Sequence, residues 1–302
     1  MSVNFDSRVD VIRSSYEKDI ASYWDNKQDD KINLLPGQID DLYHHHYGVG
    51  AFDPGALDGP AETREHRIVE EMHRLESQQV EVIISALGAV SPYDRVLDAG
   101  SGRGGTSFMI GDRFGCRVDG VNISEYQIDF SRQLAIKRGC ADRVKFHYRN
   151  MRSTGFPGQS FQCVVSNETT MYVDLFDAFG EFARLLSPGG RYVVITWCYN
   201  DIVSPPRHEI EEINRFYNCH IHSRSTYFAA LEANGLIPCQ VTDLTADAIP
   251  YWELRRNSEF RNGIEQAFLS AYQQGFMNFL LIVADCQQRA LTGTPASRPE
   301  HE

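Results

Sequence analysis

From Arg95 onward, short apolar runs alternate with longer stretches whose apolar positions recur at helical spacing. That rhythm predicts strands over 94–99, 116–121, 144–149, 161–166 and 190–197, and helices over 105–114, 124–138 and 174–186. Strands alternating with helices make a doubly wound α/β domain: a mostly parallel sheet with helices on both faces. Its ligands lie at the carboxyl ends of the strands. Further along, the pattern gives a helix over 224–234, a strand near 237–244 and an apolar last strand over 276–285. Upstream, Val9, Ile12, Tyr16, Ile20, Tyr23 and Trp24 recur at roughly helical spacing, and Ile68, Met72, Leu75, Val80, Ile83, Ile84 and Leu87 mark a helix over 61–90. Residues 26–60 between them are rich in Asp, Gly and Pro, as in a lid or binding segment. The expected division is residues 1–90 as N-terminal helices and substrate lid, 91–286 as the core with a cap insertion at about 198–222, and 287–302 as a disordered polar tail.

Composition narrows the partners. The chain of 302 residues is 42% hydrophobic, enough for a substantial core, and carries a formal charge of −12 with no Lys/Arg cluster. Nucleic acid is therefore not the expected substrate, because phosphate backbones need concentrated positive charge; local arginines can still hold a small phosphate ester. The seven cysteines, at 116, 140, 163, 198, 219, 239 and 286, lack C-x-x-C or zinc spacing and read as buried thiols of a reducing cytosol. With no signal-peptide pattern and no window approaching 18 apolar residues, a cytoplasmic protein without a membrane span is expected.

The chemistry gathers around Arg95-Val-Leu-Asp-Ala-Gly-Ser-Gly-Arg-Gly-Gly105, an apolar strand that ends in an acid and breaks into glycines. Such a loop presents backbone N–H groups and a helix N-terminus to a nucleotide-like ligand. Gly100, Gly102 and Gly105 also fit the G-x-G-x-x-G spacing of dinucleotide binders. Asp98 tilts the reading: it would repel a pyrophosphate but suits the ammonium and sulfonium charge of S-adenosylmethionine. A dinucleotide binder also wants an acid after the next strand, where this chain has Asn122, followed by Ser124 as a helix N-cap and by Gln127. Arg149-Asn150-Met151, after the third strand, offers a polar edge and a soft apolar face to adenine, or is only a loop. After the fourth strand, Glu168 is hemmed by Asn167, Thr169, Thr170 and Tyr172. In an apolar pocket its pKa would rise and make it a proton acceptor; otherwise it caps the sheet edge or pairs with an arginine there.

Within the long loop, Leu42-Tyr-His-His-His-Tyr-Gly-Val-Gly50 admits several readings. A metal site lacks a nearby Cys or acid cluster to complete it, and a partly buried polar loop is the plain alternative. The preferred reading gives Tyr43, His44, His45 and Tyr47 to a substrate that is anionic at one end and apolar at the other.

These segments, with Asn167-Glu-Thr-Thr-Met-Tyr-Val-Asp-Leu175, Ile221-His-Ser-Arg224 and Ile249-Pro-Tyr-Trp-Glu-Leu-Arg255, resemble the geranyl diphosphate C-methyltransferases and their prenyl diphosphate-methylating relatives. The likeness runs from about residue 16 to 285. It implies a class I methyltransferase fold, Rossmann-like and doubly wound, with an antiparallel last strand and a helical N-terminal cap. It also implies S-adenosylmethionine as methyl donor, geranyl or isopentenyl diphosphate as acceptor, and Mg2+ held mainly by the diphosphate, with no protein ligand assigned to it. By that resemblance, methylation of an alkene carbon leaves a carbocation, Glu168 takes the proton, and Tyr47 and Tyr217 turn ring faces to the cation. The cofactor would fall to Asp98, Gly100, Gly102, Asn122, Gln127, Asn150, Met151 and Asn167. The diphosphate would fall to the 43–47 loop, with Arg224, Tyr227 and Tyr251 as further candidates. The aromatic N-terminal segment would cover its own site or a neighbour's in a homo-oligomer.

Two departures bear on the substrate. Geranyl-specific members read Thr-Gly-Cys after the fifth strand, whereas this chain reads Thr196-Trp-Cys198, and Tyr217 stands where they have Phe. If Trp197 faces the pocket, the cavity favours five-carbon isopentenyl diphosphate or turns a longer chain so that another carbon is methylated. If it packs outward beneath a helix, it changes nothing. A small-molecule O- or N-methyltransferase fits the fold alone, and an NAD-dependent dehydrogenase is disfavoured by Asp98 and Asn122.

Overall fold

The central strands send successive side chains into two different apolar layers, as a sheet covered on both faces requires. In the computed structural model, which describes residues 11–203 and 207–287, three helices come first: α1 (Ser15–Asp25), α2 (Lys31–Leu34) and α3 (Ala61–Leu87). The core follows as β1 (Arg95–Ala99), α4 (Gly105–Phe114), β2 (Arg117–Asn122), α5 (Glu125–Lys137), β3 (Val144–Tyr148), β4 (Phe161–Asn167), α6 (Leu175–Leu185) and β5 (Leu186–Tyr199). It closes with α7 (His208–Tyr217), α8 (Arg224–Ala233), β6 (Leu236–Asp243), α9 (Thr245–Arg255), α10 (Glu265–Gln273) and β7 (Met277–Cys286). The seven strands lie in the order β3-β2-β1-β4-β5-β7-β6, with β7 antiparallel to both neighbours and the first five strands parallel. This is the expected class I methyltransferase architecture.

Val193, Ile195 and Trp197 of β5 point into one layer, with α3, α9 and α10, while Tyr192, Val194 and Cys198 point into the other, with α6 and α8. That parity decides which side chains meet at the site. Ser14 caps α1, its hydroxyl accepting from the Glu17 N–H, so the first helix starts later than the apolar spacing suggested. The 1–10 end of that expected helix, and all but the first residue of the expected disordered tail, lie outside the described residues. The long 26–60 segment is folded, with α2 and single turns at Pro36–Gln38 and Pro54–Leu57. It is tied down where the Val49 N–H donates to Leu75 O and the Gly50 N–H to Asp247 O. β5 begins earlier than expected because Leu186 pairs with Phe161 ahead of a register shift. Pro250 falls inside α9, where it forgoes a helical hydrogen bond, and so hid that helix from the sequence pattern. Five cysteines are buried, but Cys239 is exposed, contrary to expectation, because β6 is an edge strand. Among the described residues no helix is long and apolar enough to cross a membrane.

Candidate active site

The glycine loop at the end of β1 is shaped by contacts that leave no room for side chains. Gly100 has φ +89°, and a Cβ there would come within 2.5 Å of Thr169. Gly102, at φ +53°, differs: a Cβ would meet nothing closer than His45 at 4.0 Å, because this face of the loop opens on a cavity. The cavity, about 910 Å3 with its mouth open to solvent included, is bordered by Asp98, the glycine loop, Asn122 and Gln127, Arg149 to Met151, and Glu17, Ile20 and Trp24 from α1. Asp98 is buried at its floor. Its Oδ2 accepts from the Ser107 hydroxyl at 2.6 Å, and burial pushes its pKa up to about 6. Asn122 donates to the Gln127 side chain at 2.7 Å and accepts from the Ser124 N–H, which orders the turn into α5. Asn150 reaches the other way, donating to Glu17 Oε1 at 2.7 Å, so its amide fastens α1 over the cavity. Asn167 also borders the cavity, but its amide is committed to Gln79 and Thr106.

Glu168 stands where the cavity meets a block of aromatic rings. It is a non-glycine residue at φ +51°, a conformation that persists only where the surroundings enforce it. Here Oε1 accepts from the Tyr47 N–H at 2.9 Å and the Gln79 amide at 3.1 Å, and Oε2 from the Trp197 indole at 2.9 Å. Burial, followed by the nearby Glu76 carboxylate, raises its pKa to about 8 against those three donors. Behind it, Tyr47 packs against Trp252 at 4.3 Å and Phe268 at 5.4 Å between ring centroids, and its hydroxyl donates to that of Tyr217. Trp197 therefore faces the site; the outward alternative falls. Tyr251 joins the same layer, donating to Glu76 Oε1 at 2.7 Å.

The histidine run divides its duties. His44 borders the cavity, yet its ring nitrogens are taken up by Ser77 and His46 inside the protein, which removes the donor expected of it toward substrate. Burial lowers the pKa of all three histidines, so they are neutral near pH 7. His45 lies against Arg103 at 2.7 Å and Gln127 at 3.3 Å, and Tyr43 edges the cavity while packing on Phe130.

Two further expectations need correcting. Tyr227 belongs to the opposite layer, where its hydroxyl meets Thr170 at 2.7 Å and Thr196 at 2.6 Å, and Arg224 opens α8 on that side, away from the cavity lining. The cations near the aromatic block are ones that the reading of the sequence passed over. Lys27 sits over the Tyr23 ring at 4.7 Å and the Tyr217 ring at 5.5 Å, and Arg103 donates to Lys27 O and His45. Buried Arg255 pairs with Glu265 at 3.3 Å and lies 5.7 Å from the Tyr47 ring. Arg103 and Arg255 were visible as members of the glycine loop and of the Pro-Tyr-Trp-Glu-Leu-Arg string; Lys27 had no signal beyond its place in the 26–60 segment.

Residues 96–190 match the methyltransferase-domain family. The chain is 49% identical over 272 residues to the geranyl diphosphate 2-C-methyltransferase of Saccharopolyspora erythraea, covering 90% of this chain and 95% of the relative. The chain belongs to the geranyl diphosphate 2-C-methyltransferase family. It is accordingly an S-adenosylmethionine-dependent C-methyltransferase. A solved family structure, geranyl diphosphate C-methyltransferase of Streptomyces coelicolor with Mg2+, geranyl-S-thiolodiphosphate and S-adenosyl-L-homocysteine, superposes with a TM-score of 0.88 at 43% identity, over 90% of this chain and 98% of that one. Another, a geranyl diphosphate methyltransferase with geranyl diphosphate and sinefungin, gives 0.87 at 44% identity, over 90% and 99%.

Proposed function

We propose that the protein methylates an alkene carbon of a short prenyl diphosphate, with Glu168 removing the proton that the resulting cation must lose. The observation that carries this reading is the seat of Glu168, a buried carboxylate of raised pKa between the cavity at the glycine loop and the aromatic block. The relatives' activity supports geranyl diphosphate as the reference substrate.

The cavity fits S-adenosylmethionine: Gly102 leaves the space a side chain would fill, and Asp98 offers a buried carboxylate to positive charge or hydroxyl groups. When bound, that group supplies an electrophilic methyl. The residues of this chain then do the rest. Tyr47, Trp197 and Tyr217 surround a cation with electron-rich rings and exclude water. Lys27, Arg103 and Arg255 supply positive charge for a diphosphate. Among the described residues no three His, Cys, Asp or Glu side chains converge as a metal site. Glu76 nonetheless keeps one buried oxygen without a partner, one tyrosine hydroxyl away from Arg255. That fits a Mg2+ ion whose oxygen ligands come mainly from the diphosphate, with Glu76 as the protein's contribution.

The test is an assay with S-adenosylmethionine, Mg2+ and, separately, isopentenyl, dimethylallyl, geranyl and farnesyl diphosphate, with products identified by mass. A singly methylated diphosphate from one or more of them is expected. No product from any of the four overturns the substrate class and leaves the methyl-donor site standing.

A further inference from the structure

We propose that Trp197 sets both the length of prenyl chain this site accepts and the oxygen of Glu168 that receives the proton. This deepens the function proposed above and rests on it. Trp197 shares its face of β5 with Val193 and Ile195, is 2% exposed, and lies with ring centroids 5.1 Å from Phe268, 5.7 Å from Tyr217 and 6.3 Å from Tyr47. The cavity reaches Glu168 and stops, for none of those four rings borders it. An alkyl chain running past the base into the aromatic block must take the space the indole occupies. The indole is larger than one prenyl unit, so it excludes the end of a long chain while leaving a short one its place beside Glu168.

The hydrogen bonds around Glu168 distinguish its two oxygens. A carboxylate oxygen has two lone-pair sites. Oε1 uses both, for the Tyr47 N–H and the Gln79 amide, whereas Oε2 accepts only the indole N–H. Oε2 keeps the free lone pair. In the reaction the sulfur–carbon bond breaks, the alkene π pair forms the new carbon–carbon bond, and the neighbouring carbon becomes cationic. The electron pair of an adjacent C–H bond then restores an alkene and its proton passes to Oε2. The indole N–H holds that oxygen in place and favours the ionised carboxylate before transfer. Trp197 is thus a positioning residue for the base and a wall for the substrate.

Separate variants divide the two roles. Trp197→Ala opens the wall and removes the donor; Trp197→Phe removes the donor but keeps a six-membered ring as most of the wall. The measurement is kcat/KM on isopentenyl, geranyl and farnesyl diphosphate across pH, with S-adenosylhomocysteine binding as the check of folding and Trp197→Leu replacing the alanine variant if it fails that check. Trp197→Ala is expected to raise the long-to-short ratio of kcat/KM about tenfold or more. Trp197→Phe is expected to leave that ratio within a few-fold while moving the acidic limb of the profile to higher pH. An unchanged chain-length ratio in the alanine or leucine variant, or an unmoved limb in Trp197→Phe, overturns the proposal. Wild-type protein that turns over none of these three, nor dimethylallyl diphosphate, overturns the function and this assignment together, which distinguishes that failure from a wrong reading of Trp197.

Discussion

At Glu168, burial and hydrogen bonding pull in opposite directions, and burial wins. A base must be ionised to accept a proton, so a carboxyl raised to about 8 leaves activity falling as the pH drops below that value, roughly tenfold per unit at the low end. A profile of kcat/KM flat down to pH 5 would contradict this. Glu168→Gln keeps the shape and cannot take the proton; kcat should fall by about 10²–10⁴ while S-adenosylhomocysteine still binds, as calorimetry alongside turnover would show. Asp98 makes a different prediction. Its pKa of about 6 belongs to the cavity without ligand, and a sulfonium or ammonium charge nearby favours the ionised form. Affinity for S-adenosylmethionine should therefore weaken as pH falls through about 6, and a Kd constant between pH 7 and 5 would remove Asp98 from the charge pairing. Both acids were legible as cavity groups because each stands at the carboxyl end of an apolar strand, Asp98 within β1 and Glu168 just beyond β4. Tyr227 was misread because a tyrosine in a helix carries no mark of the layer it enters. Lys27 and Gln79 were missed because each acts through tertiary contacts with segments far along the chain.

Among the elements, the alternation from β1 to β5 was written in apolar spacing, whereas α9 was masked by Pro250 and the folded 26–60 segment by its glycines and prolines. What the spacing could not show is how α1 is fastened. Glu17 accepts from Asn150 and Arg152, and Asp25 accepts from the Ser124 hydroxyl and the Tyr126 N–H at the start of α5. Both acids tie one helix to the rim of the cavity that the same helix covers through Ile20 and Trp24. Removing a buried charged partner costs more than losing an exposed pair, because the partner groups are left unsatisfied. Glu17→Ala should then free α1 locally without unfolding the sheet. The expected result is faster hydrogen exchange of α1 amides and weaker cofactor binding by about tenfold, equivalent to about 1.4 kcal/mol. Exchange accelerated equally in α1 and β5 would show instead that the substitution destabilises the whole fold.

For the whole molecule, the decisive arrangement is that the cavity draws on one half of the sheet while the aromatic block draws on the other. Its lining residues run from Glu17 to Val173, on α1, the 26–60 segment and the ends of β1 to β4, and none comes from α7 to α10. A cofactor bound in that cavity, as proposed, acts directly on only part of the chain. β4 pairs with β5, and β5 with β7, in one continuous sheet, and Trp197 on β5 hydrogen-bonds Glu168 just beyond β4. A ligand bound on one side should consequently stabilise both. At 100 times its Kd, S-adenosylhomocysteine adds about 2.7 kcal/mol to the folded state, which for a chain of this size raises Tm by about 5 °C. Calorimetry should show that shift in a single transition. Two transitions, with only the first responding to ligand, would mean that the half carrying the aromatic block unfolds independently of the cofactor half. In that case the hydrogen bond between Trp197 and Glu168 would join two separately cooperative parts of the molecule.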